Sequence, residues 1–242
     1  MQALRGTQDI LPDQVYKWNY MERVIRHLCA LYGYGEIRTP MFEDTKLFLR
    51  GIGDTTDVVT KEMYTFEDRG GRSITLRPEN TASVVRAYLE HKLYGDQQVH
   101  KVFYIGSMFR YDRPQAGRYR EFHQFGVEIL GAKSPAADAE CIALAYDLFQ
   151  RLGLHELKLH INSIGHSECR AAYRKKLIEF YEPKVDDLCD DCRERLHKNP
   201  LRILDCKEEG CRKASIGAPE ITDYLCDDCQ EKFDAVKSYL TA

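Results

Sequence analysis

Two strand candidates, Val99 to Tyr111 and Phe122 to Leu130, constrain the fold of this chain more than any other feature. The segment between them is polar and contains proline and glycine, which are residues that form turns. Two strands joined by such a loop pair in an antiparallel arrangement. Shorter strand candidates are residues 36–39, 64–66, 73–76 and 157–161. The sequence therefore predicts an α+β fold built on an antiparallel sheet flanked by helices, and not a doubly wound parallel sheet.

Three helices are expected to flank these strands. Residues 14–32 and Pro135 to Leu152 carry apolar side chains at steps of three and four residues, which places those side chains on one face. Thr81 is expected to cap a third helix that runs to about His91. The residues of this helix that are expected to point inward are Val84, Val85, Tyr88 and Leu89.

Composition and motif absences narrow the class of protein. The chain has 242 residues, of which 43% are hydrophobic and 30% charged, as in an ordinary globular protein. No apolar run approaches the roughly 20 residues that cross a bilayer, and the first residues lack the pattern of a secretory signal. These observations predict a cytoplasmic protein without a membrane partner. The chain has neither GxGxxG nor GxxxxGK[ST], which argues against a Rossmann or P-loop nucleotide site.

The cysteines indicate a second domain with its own chemistry. We place a boundary near residue 164, because residues 165–242 are richer in helix and charge and contain seven of the nine cysteines. Cys189 and Cys192 form one C-x-x-C pair, and Cys226 and Cys229 form another, which is ligand spacing for zinc. The sequence predicts a structural zinc site at these four cysteines. The alternative is that they are reduced cysteines that pack as small apolar residues.

Polar residues alternate along the two long strands. Alternate residues of a strand share a face, so Arg110 and Asp112 point together, and so do Gln124, Gly126 and Glu128. Such a repeat on apolar strands predicts a lined pocket. An edge hairpin with one face in water explains the spacing equally well.

Five segments, in order along the chain, resemble the histidyl-tRNA synthetases of bacterial type, which are class II aminoacyl-tRNA synthetases. Residues 109–128 resemble class II motif 2, and residues 75–82 resemble the amino-acid-binding loop of the family. Residues 5–12 resemble its N-terminal signature, and the helix and strand that end at Pro40 resemble motif 1. Residues 196–205, Leu-His-Lys-Asn-Pro-Leu-Arg-Ile-Leu-Asp, resemble its insertion domain.

The resemblance implies activation of histidine by ATP, with Mg²⁺, and transfer of histidine to the 3′ end of tRNA by a homodimer. Arg110 would be catalytic through the α-phosphate, Arg118 would hold the outer phosphates of ATP, and Asp112 would lie at the adenine. The residues implied to bind histidine are Glu79, Thr81, Gln124 and Glu128. Asp112 and Asn80 depart from the family, which commonly has Glu and Gly at these two positions. If the second position requires a positive φ, asparagine is the next best residue after glycine.

Some parts of the family pattern do not occur in these residues. These are the histidine-specific signature, motif 3 and the anticodon-binding domain, so the chain is expected to be truncated and inactive alone. Two alternatives remain. One is the synthetase-like regulatory subunit of ATP phosphoribosyltransferase, and the other is a non-enzymatic module that binds zinc and RNA.

Overall fold

The chain folds into two units, Met1–Glu156 and Leu157–Ala242, in a computed structural model. The structure describes residues 1–52, 62–96, 98–112, 115 and 117–241, so that part of the loop between the two long strands lies outside the described residues. The division between the units falls upstream of the boundary predicted near residue 164. Within the described ranges, the helices are too short or too polar to traverse a lipid bilayer.

The two long predicted strands form the centre of a three-stranded sheet in the first unit. β5 (His100–Phe109) and β6 (Glu121–Leu130) are antiparallel over their whole length, and Tyr104 lies opposite Gly126. β1 (Gly35–Glu36) is parallel to β5 and is shorter than the strand predicted over residues 36–39. The predicted α+β fold with an antiparallel strand pair is therefore confirmed.

A second sheet contains the hairpin predicted around the Gly-Gly turn. β3 (Tyr64–Glu67) and β2 (Phe42–Asp44) pair on either side of β4 (Ser73–Leu76), and both pairings are antiparallel. Between the strands, the buried Thr75 hydroxyl lies 2.8 Å from Thr65 Oγ1. The helix α2 (Thr45–Ile52) follows β2.

Two helices cover one face of the first sheet. α1 (Pro12–Leu31) and α4 (Pro135–Arg151) agree closely with the two predicted amphipathic helices. Leu28 and Leu144 from these helices pack with Phe103 of β5 in one apolar cluster. The opposite face of the β5–β6 pair is thereby left for other contacts.

The opposite face carries Gln124, Gly126 and Glu128, and we call it the pocket face. α3 (Thr81–Glu90) packs here, and its Val84 contacts Tyr104 and Met108. The predicted inward position of Val85 and Leu89 is wrong, because both are exposed. They point toward α2, where they line a groove together with Leu47, instead of pointing into the core.

The second unit is helical. Its helices are α5 (Ser167–Tyr181), α6 (Asp190–Lys198), α7 (Leu201–Leu204), α8 (Glu209–Ala214) and α9 (Asp227–Thr241). The strand predicted over residues 157–161 is wrong. A strand needs a ladder partner, and no described strand pairs with this segment, whose Leu159 is exposed.

Candidate functional site

The N-terminal segment holds the strand that returns from the long hairpin. The amide N–H of Arg120 donates to the carbonyl of Gly6 over 2.6 Å. Gly6 has φ +91°, and a Cβ there would lie 2.7 Å from Arg120 Cγ. Glycine is thus required at this position both for its backbone angle and for the close approach.

Glu79 caps α3, and Thr81 does not. The Glu79 carboxylate accepts hydrogen bonds from the amide of Thr81 over 2.6 Å and from the amide of Ala82 over 3.1 Å. The prediction that Thr81 caps this helix is therefore wrong, because Thr81 is its first residue and its hydroxyl points elsewhere. The helix N-terminus favours a negative charge at Glu79.

The Thr81 hydroxyl connects this helix terminus to the sheet. It donates to Glu128 Oε1 over 2.7 Å. Burial raises the pKa of Glu128, the bond from Thr81 opposes the shift, and the nearby charge of Glu79 adds to it. The two carboxylates thus lie near one another and Thr81 contacts both, which makes this region favourable for a cation or an N–H donor.

Tyr104 and Gly126 are matched across the strand pair. Tyr104 is 5% exposed, and a Cβ on Gly126 would lie 2.3 Å from the Tyr104 hydroxyl oxygen. Burial and the charge of Glu128 raise the pKa of Tyr104 to about 12. Tyr104 therefore stays a neutral hydroxyl beside the two carboxylates. Tyr104 is not among the residues selected from the sequence, because its position opposite Gly126 depends on a strand register that the sequence does not give.

Replacing Gly126 with alanine is expected to destabilise the protein by about 1–3 kcal/mol, because the new methyl group and the buried Tyr104 ring cannot share the same space. Urea unfolding of the variant measures the change. Gly95→Ala is a suitable control, since a Cβ there meets nothing within 4 Å and should change stability by no more than about 0.5 kcal/mol. Equal stability of the two variants would contradict this packing.

Gln124 contributes an unpaired acceptor. Its Oε1 atom is buried, and within the described residues it has no hydrogen-bond partner. Gln124 lies opposite Gly106 on the pocket face. An unpaired buried carbonyl costs about 1–3 kcal/mol. A ligand N–H at this position would remove that cost.

Asn80 is almost fully buried and has φ −119°, so this position does not need a left-handed backbone. Its Oδ1 atom accepts from the Thr39 hydroxyl over 2.6 Å and from Arg77 over 3.3 Å. The Asn80 carbonyl therefore makes two side-chain hydrogen bonds that glycine could not make. Arg77, which the sequence analysis did not assign, also donates to the carbonyl of Ser107 over 2.9 Å and joins the Pro78–Thr81 loop to β5.

Arg110 lies at the end of β5 on the pocket face. Its Nε donates to the carbonyl of Pro78 over 2.9 Å, and its guanidinium lies 5.4 Å from the centre of the Phe122 ring. The structure therefore brings Arg110 to the loop that presents Glu79. One hydrogen bond and one ring contact orient its planar donor group.

Arg118 and Asp112 form an ion pair of 2.8 Å across the loop. The Arg118 side chain is 56% exposed, so the pair contributes only about 0–1 kcal/mol. Arg118 can therefore exchange Asp112 for another anion at little cost.

The predicted four-cysteine zinc set is not brought together as one group. Cys189 and Cys192 lie with Cys206 and Cys211, whereas Cys226 and Cys229 lie with His166 and Cys169. The two C-x-x-C pairs therefore belong to two separate groups of four residues. The His166-x-x-Cys169 spacing was the signal in the sequence that could have indicated the second group.

Two solved structures resemble this fold. The apo histidyl-tRNA synthetase of S. aureus matches 100% of this chain and 54% of its own length, with a TM-score of 0.77 and 44% identity. A Bacillus halodurans structure, described as an ATP phosphoribosyltransferase regulatory subunit/histidyl-tRNA synthetase, matches 98% of this chain and 65% of its own, with a TM-score of 0.65 and 22% identity. The likeness to the S. aureus enzyme defines a fold of the class II aminoacyl-tRNA synthetase type.

Sequence comparison is more specific. The family model for histidyl-tRNA synthetase matches residues 6–170. The histidine–tRNA ligase of Desulforudis audaxviator is 63% identical over 236 residues, which are 98% of this chain and 56% of that protein. That of Anoxybacillus flavithermus is 59% identical over 240 residues, which are 99% of this chain and 57% of that protein. The chain belongs to the histidyl-tRNA synthetase family, and it spans little more than half the length of these relatives.

Proposed function

We propose that this chain carries the histidine and ATP subsites of a cytoplasmic histidine–tRNA ligase. The reaction joins histidine to ATP as histidyl-adenylate, releases pyrophosphate, and then transfers histidine to the 3′ end of its tRNA. In this proposal residues 1–164 are the N-terminal part of the catalytic domain and residues 165–242 are the insertion domain. The exposed apolar side chains of α1, among them Val15 and Met21, support a homodimer.

The arrangement of Glu79, Thr81 and Glu128 carries the proposal. Free histidine presents an ammonium group and ring N–H groups, and all of them are hydrogen-bond donors. Glu79 and Glu128 supply two neighbouring carboxylates, and Gln124, whose Oε1 has no hydrogen-bond partner among the described residues, supplies a further acceptor. An amino acid without a ring donor would leave one of these acceptors unpaired, and this is how the pocket would select histidine.

Arg110 and Arg118 supply the complementary charge for ATP. Attack of the histidine carboxylate on the α-phosphate builds negative charge on the phosphate oxygens, and a preoriented guanidinium stabilises that charge. Arg110 is fixed by Pro78 and Phe122 and suits this role. Arg118 is exposed and weakly paired, so it suits capture of the outer phosphates. Asp112, which pairs with Arg118 in the structure, would lie at the adenine.

Mg²⁺ would enter with ATP as a counter-ion of the phosphates, because this ion is usually held by few protein oxygens. When bound, the ion would neutralise part of the phosphate charge, in addition to the two arginines.

The test is histidine-dependent exchange of pyrophosphate into ATP. We would compare the chain alone with a chimaera in which the C-terminal part of the Desulforudis relative, which this chain does not span, is joined after Ala242. The chimaera is expected to catalyse exchange, and the chain alone is expected to show none above background.

Two results would count against this proposal. A folded chimaera that binds histidine but does not catalyse exchange would favour the regulatory-subunit alternative. A chimaera that binds tRNA with strong salt dependence but binds neither histidine nor ATP would favour the non-enzymatic module. Exchange by the chain alone would support the chemistry and overturn the expectation that the chain is inactive by itself.

A further inference from the structure

We propose that the second unit binds two structural Zn²⁺ ions at two separate sites. The cysteine site consists of Cys189, Cys192, Cys206 and Cys211, and the histidine site consists of His166, Cys169, Cys226 and Cys229. In each site the four candidate ligand atoms lie within 4.8 Å of one another. All seven of these cysteines are free thiols in the structure.

The separations in the histidine site fit a tetrahedral ion. His166 Nδ1 lies 3.9 Å from Cys226 Sγ and 3.5 Å from Cys229 Sγ. Around Zn²⁺, with bonds of about 2.0 Å to nitrogen and about 2.3 Å to sulfur, the N···S edge of a tetrahedron is about 3.5 Å. His166 Nδ1 also lies 3.0 Å from Cys169 Sγ, which is the separation of a hydrogen bond that metal binding would replace.

The cysteine site has similar dimensions. Cys189 Sγ lies 3.9 Å from Cys206 Sγ, and the S···S edge of a zinc tetrahedron is about 3.8 Å. The amide of Cys189 donates to Cys211 Sγ over 3.2 Å, which is the bond expected to stabilise a thiolate ligand. The amide of Cys226 donates to Cys169 Sγ in the histidine site over the same distance of 3.2 Å.

Three of the four ligand pairs share the same local backbone arrangement at the start of a helix. His166, Cys189 and Cys226 each immediately precede a helix, and the partner of each lies three residues later in the first turn. The backbone of each bends in the same way, since the amide of Arg170, Arg193 or Gln230 donates to the carbonyl of the first ligand. Helix N-termini favour the negative charge of thiolates, so these pairs are prepared for a cation.

Gly165 shows that the backbone accommodates this packing. Its φ is +58°, and a Cβ there would lie 2.6 Å from Cys169 Cβ. Only glycine allows the chain to turn this closely beside the ligand.

The sites would link segments that the small apolar core does not hold. The core contains Tyr181, Leu196 and Ile203, and the start of α9 lies outside it. The histidine site would fasten the start of α9 to the start of α5. Four protein ligands leave no open position for substrate, so both ions would be structural, and small domains commonly depend on such ions.

The first test is elemental analysis of the 242-residue chain, purified under reducing conditions without a metal-binding tag. We expect about two zinc ions per chain. Reconstitution with Co²⁺ should give visible bands of two tetrahedral sites, one with four sulfur ligands and one with three sulfurs and a nitrogen. Absence of zinc after purification and after addition of Zn²⁺, or iron in place of zinc, would overturn the proposal.

Single substitutions distinguish two sites from the one site predicted from the C-x-x-C pairs. Cys206→Ser and His166→Ala should each remove one of the two zinc ions. A single site at Cys189, Cys192, Cys226 and Cys229 would keep its zinc in both variants, which would refute the two-site arrangement. Cys141→Ser, on α4 in the first unit, is the control and should keep both ions. If a variant fails to fold, the number of zinc ions per unmodified chain and the spectrum of its Co²⁺ form still distinguish two sites from one.

Discussion

Glu128→Gln is expected to weaken histidine binding about 100-fold, because a hydrogen bond to a charged group contributes about 1.5–3 kcal/mol and the attraction to the ligand ammonium is lost as well. Glutamine has almost the same shape and can still accept from the Thr81 hydroxyl, so the loop should keep its position. Equilibrium dialysis of labelled histidine against the chimaera measures the affinity.

Although Glu128→Gln is expected to bind histidine more weakly, it is expected to be more stable than the unmodified protein near neutral pH. Burial, with the charge of Glu79, raises the pKa of Glu128 above its ordinary value of 4.5. A carboxyl with a raised pKa in the folded state favours folding at low pH, and this contribution is lost as the pH rises through the folded pKa. The unmodified protein loses this contribution as the pH increases from about 4 to about 7, and Glu128→Gln does not. The difference in the free energy of unfolding between the two proteins should therefore shift in favour of the variant over this range.

Glu140→Gln is the matched control for both measurements. Glu140 also lies on the first unit, but it pairs with Lys101 over 2.8 Å and accepts from the Tyr34 hydroxyl over 2.9 Å, away from the pocket face. Its loss should reduce stability and leave histidine affinity unchanged. If Glu128→Gln binds histidine as tightly as the unmodified protein, Glu128 does not contact histidine and the proposed pocket is wrong.

The part of the fold that follows from local pattern could be predicted from the sequence. α1 and α4 have long apolar stripes, and the β5–β6 pair is defined by two apolar strands and a polar loop. The prediction of a strand over residues 157–161 was wrong, because a strand must pair with a neighbouring strand and the local sequence pattern does not show whether one is present. The predicted inward position of Val85 and Leu89 was wrong for a related reason, since the position of α2 decides which side of α3 is covered.

The candidate site shows the same division. The spacing of Gln124, Gly126 and Glu128 placed them on one face, which the strand register supports. Nothing local indicated that Glu79 rather than Thr81 caps α3, because both are suitable acceptors near a helix start. The candidate metal ligands fall into groups other than the predicted one, because pairing the two C-x-x-C motifs ignores how the helices between them fold back.

Arg110→Ala is expected to lower the rate of pyrophosphate exchange by about 10²–10³, which is the usual effect of removing one preoriented donor from a developing anion. Histidine affinity should change much less, since Arg110 donates to the Pro78 carbonyl of the loop and not to the carboxylates that are proposed to bind histidine, among the contacts of the described residues. Exchange kinetics of the chimaera at saturating histidine, with ATP varied, separate the two effects.

Arg110→Lys distinguishes whether the charge of Arg110 or the geometry of its guanidinium group raises the rate of pyrophosphate exchange. Lysine keeps the charge but lacks the planar fork, and it has no Nε–H that could hold both the Pro78 carbonyl and a phosphate oxygen in one orientation. We therefore expect lysine to restore little of the rate. Arg151→Ala removes an arginine that pairs with Asp147 on the surface of α4 and should leave exchange unchanged. A rate for Arg110→Ala within about twofold of the unmodified chimaera would show that the α-phosphate is stabilised by another group, and Arg118 would then be the next candidate.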